Sequence, residues 1–222
     1  PAEPADGPAA RGEDGSAPAE VPLRSVIAAT VSSAPRRAFT AAVALGGMAM
    51  STVLVYQVPT MTAAGLPLAT AATMAGLRGF AQTGGRIPLG PIVDRLGSAR
   101  ALALAFAALA AGGAVLAFAG TVPIALVFAA VTGFGIGAFS PLQGILAEEL
   151  YPRETLGATM GLYSTFLMVA GAAGPALAGV LADATGDRRL VSLLVVGPSL
   201  GALASAIRLG RSRHRSGADA PG

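Results

Sequence analysis

Charge falls along this chain in clusters separated by long gaps. No Asp, Glu, Lys or Arg occurs from Ala38 to Leu77, and none from Ala101 to Ala147. At about 20 residues per bilayer crossing, each gap has room for two apolar helices. Turn-forming residues divide both: Pro59, Gly65 and Pro67 in the first, and Gly120-Thr121-Val122-Pro123 in the second. Two further apolar runs follow, separated by a polar turn from Asp183 to Arg189. The pattern predicts helices over about 37–58, 67–92, 100–120, 122–147, 156–182 and 189–209, six crossings within one domain spanning 37–209. The predicted fold is all-α and polytopic, with membrane lipid as its solvent.

The flanks read differently. Residues 1–22 are mostly Pro, Ala, Gly, Glu and Asp, too poor in large apolar side chains to fold alone. They lack the basic start and apolar run of a signal peptide. A mildly amphipathic stretch from Leu23 to Ala34 follows, so 1–36 is expected to be a disordered cytoplasmic tail or linker carrying that short stretch. Residues 210–222 are expected to form an Arg-rich cytoplasmic tail.

Composition supports the membrane reading. Of 222 residues, 53% are hydrophobic and 12% charged, against about 25% charged in a typical soluble domain. All basic residues are arginines. Arg24, Arg36, Arg37, Arg95, Arg100, Arg153, Arg208, Arg211, Arg213 and Arg215 fall on one side of the six crossings, and only Arg188 and Arg189 on the other. The positive-inside rule then places both termini in the cytoplasm, in the inner or plasma membrane. Basic residues interleaved with aromatics are absent, which argues against nucleic acid. There is no cysteine, and the lone histidine, His214, lies in the basic tail. No acid falls within a helix. A metal site, a cofactor and an enzyme active site are therefore not expected. Gly133-x-Gly135-x-Gly137 lies inside an apolar helix rather than after a strand, so it is no nucleotide-binding loop.

One loop carries the most specific signal. Gly85-Arg86-Ile87-Pro88-Leu89-Gly90-Pro91-Ile92-Val93-Asp94-Arg95-Leu96-Gly97-Ser98-Ala99-Arg100 joins two apolar segments. Asp94 there is suited to cap the exposed N–H groups at a neighbouring helix start. Gly90, Asp94, Arg95, Gly97 and Arg100 resemble the loop signature between the second and third helices of each half of the major facilitator superfamily. Ser98-Ala99 departs from it, since the family usually has a basic residue after the last glycine. Gly85-Arg86 is similar to the version between helices eight and nine. Leu150-Tyr151-Pro152-Arg153 resembles the loop between helices ten and eleven, and Gly174-Pro175 with Asp183-Ala184-Thr185-Gly186 resembles helix eleven and its outer turn. The resemblance covers about 37–209. It implies the C-terminal six-helix half of a secondary transporter that moves a small solute by alternating access, with an N-terminal six-helix half as partner. The alternative is a self-sufficient six-helix channel or homodimeric carrier.

Arg78 is the sharpest candidate. Near the middle of a 67–92 helix a charge costs at least about 2.5–3.5 kcal/mol. Gln82 and Arg86 follow at intervals of four, so the three are expected to form one stripe. Two guanidiniums on a stripe offer forked donors to a carboxylate or phosphate. Facilitators for oxalate and monocarboxylates similarly place an arginine at the position of Arg86. The competing reading has Arg78 held by carbonyls at helix breaks or by an acid outside this chain. Tyr56, Gln57, Gln143 and Tyr163 are weaker substrate candidates, each able to serve instead as a packing residue. Ser140-Pro141 makes a kink in the fourth helix plausible.

Overall fold

The computed structural model describes residues 23–218; the disordered stretch expected over 1–22 lies outside them, as do residues 219–222. The helices run α1 (Leu23–Val31), α2 (Ala34–Ala63), α3 (Leu68–Gly84), α4 (Leu89–Leu96), α5 (Ser98–Leu116), α6 (Val122–Leu150) and α7 (Arg153–Thr185). A short 3-10 turn over Arg188–Ser192 leads into α8 (Leu193–Ala218). No strand occurs among the described residues. Five segments are long and apolar enough to cross a membrane: α2, α5, α6, α7 and Arg189–Ser212, which takes in most of α8.

Local chemistry sets the helix ends. The Ser33 hydroxyl accepts a hydrogen bond from the Arg36 N–H at 3.5 Å, and Pro35 fits the first turn, so α2 starts at Ala34 rather than 37. It continues through Pro59 to Ala63, and Gly65, at φ +109°, turns the chain. Pro152 precedes α7 and Glu154 lies in its first turn, where the helix dipole favours a negative charge. Gly186, in the left-handed region, closes that helix. α6 is one helix through Pro141. No Gly or Pro interrupts 211–216, and α8 runs on to Ala218 where a tail was expected from 210.

The helix expected over 67–92 is not continuous. It stops at Gly84, passes through a tight turn and resumes as α4 at Leu89. Pro88 has no N–H to give to Gly84 and disfavours helical geometry at Ile87. The chain answers with shorter-range bonds, Arg86 N–H to the Thr83 carbonyl at 3.2 Å and Ile87 N–H to Gly84 at 3.1 Å. α4 then ends at Gly97, whose φ of +80° only glycine adopts readily.

The long helices form an arc. α7 packs on α2, α2 on α8, α8 on α5, α5 on α6, and α6 on α3. Exchanging the triplet α2, α3, α5 for α6, α7, α8 reproduces every one of these pairings, so the bundle is two three-helix units in equivalent roles. Lipid supplies no hydrophobic drive between helices, and close backbone approach through small residues takes its place. Successive residues of a helix turn by about 100°, so Gly133 and Gly137 of α6 face one way and Gly135 the other. A Cβ at Gly133 would lie 2.8 Å from the Arg78 carbonyl of α3, and one at Gly137 would collide with the Gln82 carbonyl. A Cβ at Gly135 would lie 2.7 Å from the Ala105 carbonyl of α5. At the equivalent contact between α2 and α7, a Cβ at Gly174 of α7 would lie 2.5 Å from the Met48 carbonyl of α2.

These contacts make a sharp comparison. Gly137→Ala is expected to destabilise the protein by about 1–3 kcal/mol through overpacking. Gly144→Ala, on the same helix with open space around the added methyl, is expected to keep the melting temperature in mild detergent or raise it slightly, because alanine favours the helix over glycine. Equal melting temperatures for the two variants would disprove the α3–α6 contact.

Candidate substrate site

The buried face of α3 is Ala71, Met74 and Arg78, at helical intervals of three and four. Arg78 is 7% exposed. It lies about 15 Å from the start of α3, half the roughly 30 Å thickness of a hydrocarbon core. Its Nε donates to Gln57 Oε1 at 2.9 Å and its Nη1 to Gln82 Oε1 at 3.0 Å. Gln57, itself buried in α2, donates through Nε2 to the Leu54 carbonyl at 3.4 Å, which leaves its oxygen turned toward the guanidinium. Both acceptors are neutral amides. No carboxylate pairs with Arg78 among the described residues, so its charge is solvated by dipoles but not neutralised. The glycine face of α6 lies against the carbonyls of Arg78 and Gln82 themselves, and it fixes the pitch at which both side chains leave α3.

The other candidates scatter. Arg86 does not extend the row of Arg78 and Gln82, because the break after Gly84 carries it into the turn, where it is exposed. Asp94, Arg95 and Arg100 are exposed around α4 and the start of α5. Gly97 makes the sharp turn between those helices, and Gly90 has open space where a side chain would stand. At the head of α5, Ser98 donates to Glu149 Oε2 of α6 at 2.7 Å. Gln143 is buried within α6. Tyr56 packs on α7, its hydroxyl 2.9 Å from where a Gly179 Cβ would be, beside a cavity of about 510 Å³ that Asp183 also lines.

Tyr163 is fully buried, in a cluster of its own. Its hydroxyl shares hydrogen bonds with Thr40 of α2 at 3.1 Å and Tyr151 at 2.7 Å. Its ring meets Phe39 edge-on at 4.9 Å. Arg36 lies over the Tyr151 ring at 4.7 Å, donates through Nε to the Leu150 carbonyl at 3.1 Å and through Nη1 to Ala29 at 3.3 Å. This cluster binds the ends of α1, α2, α6 and α7 together. Tyr151, Arg36 and Thr40 are polar residues that a search for intramembrane ligands passes over. The one signal in the sequence is their place beside helix ends, where backbone carbonyls lack partners.

A sequence profile of the Major Facilitator Superfamily matches residues 22–222, nearly the whole chain. The chain belongs to this superfamily. It is 33% identical over 138 residues to an uncharacterised MFS-type transporter of Burkholderia mallei, a match covering 62% of this chain and 34% of the relative. An uncharacterised MFS-type transporter of Pseudomonas aeruginosa is 34% identical over 135 residues, covering 60% of this chain and 33% of the relative. The chain thus matches about a third of the length of these relatives. Membership in the superfamily, together with its long apolar helices, makes it a multi-pass membrane protein.

Within this facilitator chain the tyrosine cluster is a structural joint. Tyr163→Phe leaves the ring packing in place but removes the shared hydroxyl, and is expected to cost about 1–2 kcal/mol. Thermal unfolding in detergent reads this directly, and a variant as stable as the parent would show that the hydroxyl bridge contributes nothing.

Proposed function

We propose that the chain is the C-terminal six-helix half of a secondary transporter working by alternating access, and that its solute is a small organic anion. On this reading α3, the turn and α4 together make a sixth crossing, and both termini are cytoplasmic. A second six-helix half closes the cavity. The match to only about a third of the length of the curated relatives supports that partner. Abundant arginines at the end shared by Arg36, Arg100 and Arg208 support the orientation.

The observation that carries the substrate class is Arg78. A cation at mid-depth, held by two amide oxygens and paired with no carboxylate among the described residues, keeps its full charge available to an incoming anion. Gln57 and Gln82 hold Nε and one Nη1 hydrogen in place, so the fork is oriented before the ligand arrives. An organic carboxylate bound there would neutralise the charge and take up further guanidinium donors. In alternating access such a site is offered to each side in turn as the two halves rock.

Two experiments test the proposal. With a panel of acetate, lactate, oxalate and succinate on the full-length transporter, Arg78→Gln should abolish binding, with size-exclusion behaviour unchanged. Arg78→Lys, which keeps the charge but loses the fork, should weaken dicarboxylates more than monocarboxylates. Normal binding by Arg78→Gln would make Arg78 structural and remove the anion assignment. Separately, proteoliposomes holding only this chain should accumulate none of these anions above background. Saturable uptake there would overturn the half-transporter reading.

A further inference from the structure

α8 shows one exposed stripe that changes character along its length. Leu193, Gly197, Leu200, Ala204 and Ile207, at intervals of three and four, lie outward and apolar. The same stripe continues into Arg208 and Arg211, both exposed. The apolar part spans about 20 Å at 1.5 Å per residue, comparable with the roughly 15 Å depth of one hydrocarbon leaflet. An apolar length ending in cations matches a phospholipid standing beside the helix, tails along the leucines and phosphate at the arginines.

The basic end is recessed. Between α2 and α8, Ala38 and Ala41 are too small to fill the space opposite Ser205, and a cavity of about 670 Å³ opens there. Arg37, Arg208 and Arg211 ring it. Arg37 donates through Nη1 to the Val31 carbonyl at 2.9 Å, which anchors that guanidinium at the rim. No carboxylate pairs with any of the three among the described residues. Across α8, a second cavity of about 290 Å³ between α5 and α8 is lined by Arg100 and again by Arg211. Arg211 thus stands between two grooves of the same kind. The lining of both grooves is free of acids.

We propose that the groove between α2 and α8 is a binding site for an anionic phospholipid, with the headgroup phosphate held by Arg37, Arg208 and Arg211 and the acyl chains lying along the apolar stripe of α8. Three guanidiniums that face one another without an acid repel, and a phosphate relieves that repulsion by accepting forked hydrogen bonds from each. The apolar stripe selects a lipid over a free anion. Arg37 lies twenty residues, about 30 Å, from Gln57 along α2, so the groove is separate from the site at Arg78 and requires only that the chain be embedded in a bilayer.

Titration of the full-length protein in mild detergent with phosphatidylglycerol, read by native mass spectrometry, tests this. Each arginine near an anionic headgroup is worth roughly a fivefold change in affinity. The triple variant Arg37→Gln, Arg208→Gln, Arg211→Gln should therefore bind phosphatidylglycerol about a hundredfold more weakly, the matching triple lysine variant should keep most of the binding, and Arg189→Gln, at the opposite end, should behave as the parent. Raising the salt should weaken phosphatidylglycerol binding to the unmodified protein, a reading that needs no variant. Phosphatidylcholine with the same chains should bind many-fold more weakly, and glycerol phosphate should not displace the lipid. Binding unchanged in the triple glutamine variant, insensitivity to salt, or equal binding of phosphatidylcholine would each overturn the proposal. Displacement by glycerol phosphate at comparable concentration would make the groove a soluble-anion site and would overturn it as well.

Discussion

The backbones of α3 and α6 come into direct contact, and the setting of Arg78 and Gln82 depends on it. In a bilayer, helices gain nothing by burying apolar side chains against one another, since lipid serves as well. What holds them is contact at a distance that only glycine permits. Gly133 and Gly137 of α6 lie against the Arg78 and Gln82 carbonyls of α3, and Gly85 against the Phe134 backbone. The four-residue interval in one helix matches the four-residue interval in the other. A side chain at either glycine would push α3 outward and tilt both polar side chains away from α2.

α2 carries the complementary role. It is joined to α3 by the Arg78–Gln57 bond near one end, and to α7 by the Thr40–Tyr163 bond near the other. The arc places α3 and α7 at its two extremities, so a single helix is tied to both. The tie to α3 is charged and rests on neutral acceptors. The tie to α7 is neutral and enclosed by aromatic rings. They differ in chemistry: the first holds a buried charge on neutral amide oxygens, and the second fastens helix ends.

Much of the fold was legible in the chain because charge-free gaps longer than a helix have few meanings. The row of Arg78 and Gln82 was legible for the same reason, being local and periodic. Gln57 was visible as a polar residue in an apolar segment, but its bond to Arg78 reaches across a turn and depends on how α2 and α3 lean, which periodicity does not encode. Arg86 was misread as part of the row because spacing assumes an unbroken helix. Gly84, Gly85 and Pro88 were all present in the sequence, and their combined effect on one short stretch outweighed the apolar continuity around them. The glycines at 133, 135 and 137 were legible only as lying within an apolar helix; that they are contact points, and which helix each one faces, follows from the arc.

The break between α3 and α4 has a mechanical consequence. A rod of 29 residues would transmit any push at its loop end straight to Arg78. Here the two pieces are supported by different neighbours, α3 by α6 and α4 by α5. A displacement of the segment at 90–100 is therefore borne first by α5, and it reaches α3 either through the turn at 85–88 or by way of α6, which packs on both. That turn interrupts the rod, so the loop and the arginine do not belong to one rigid helix.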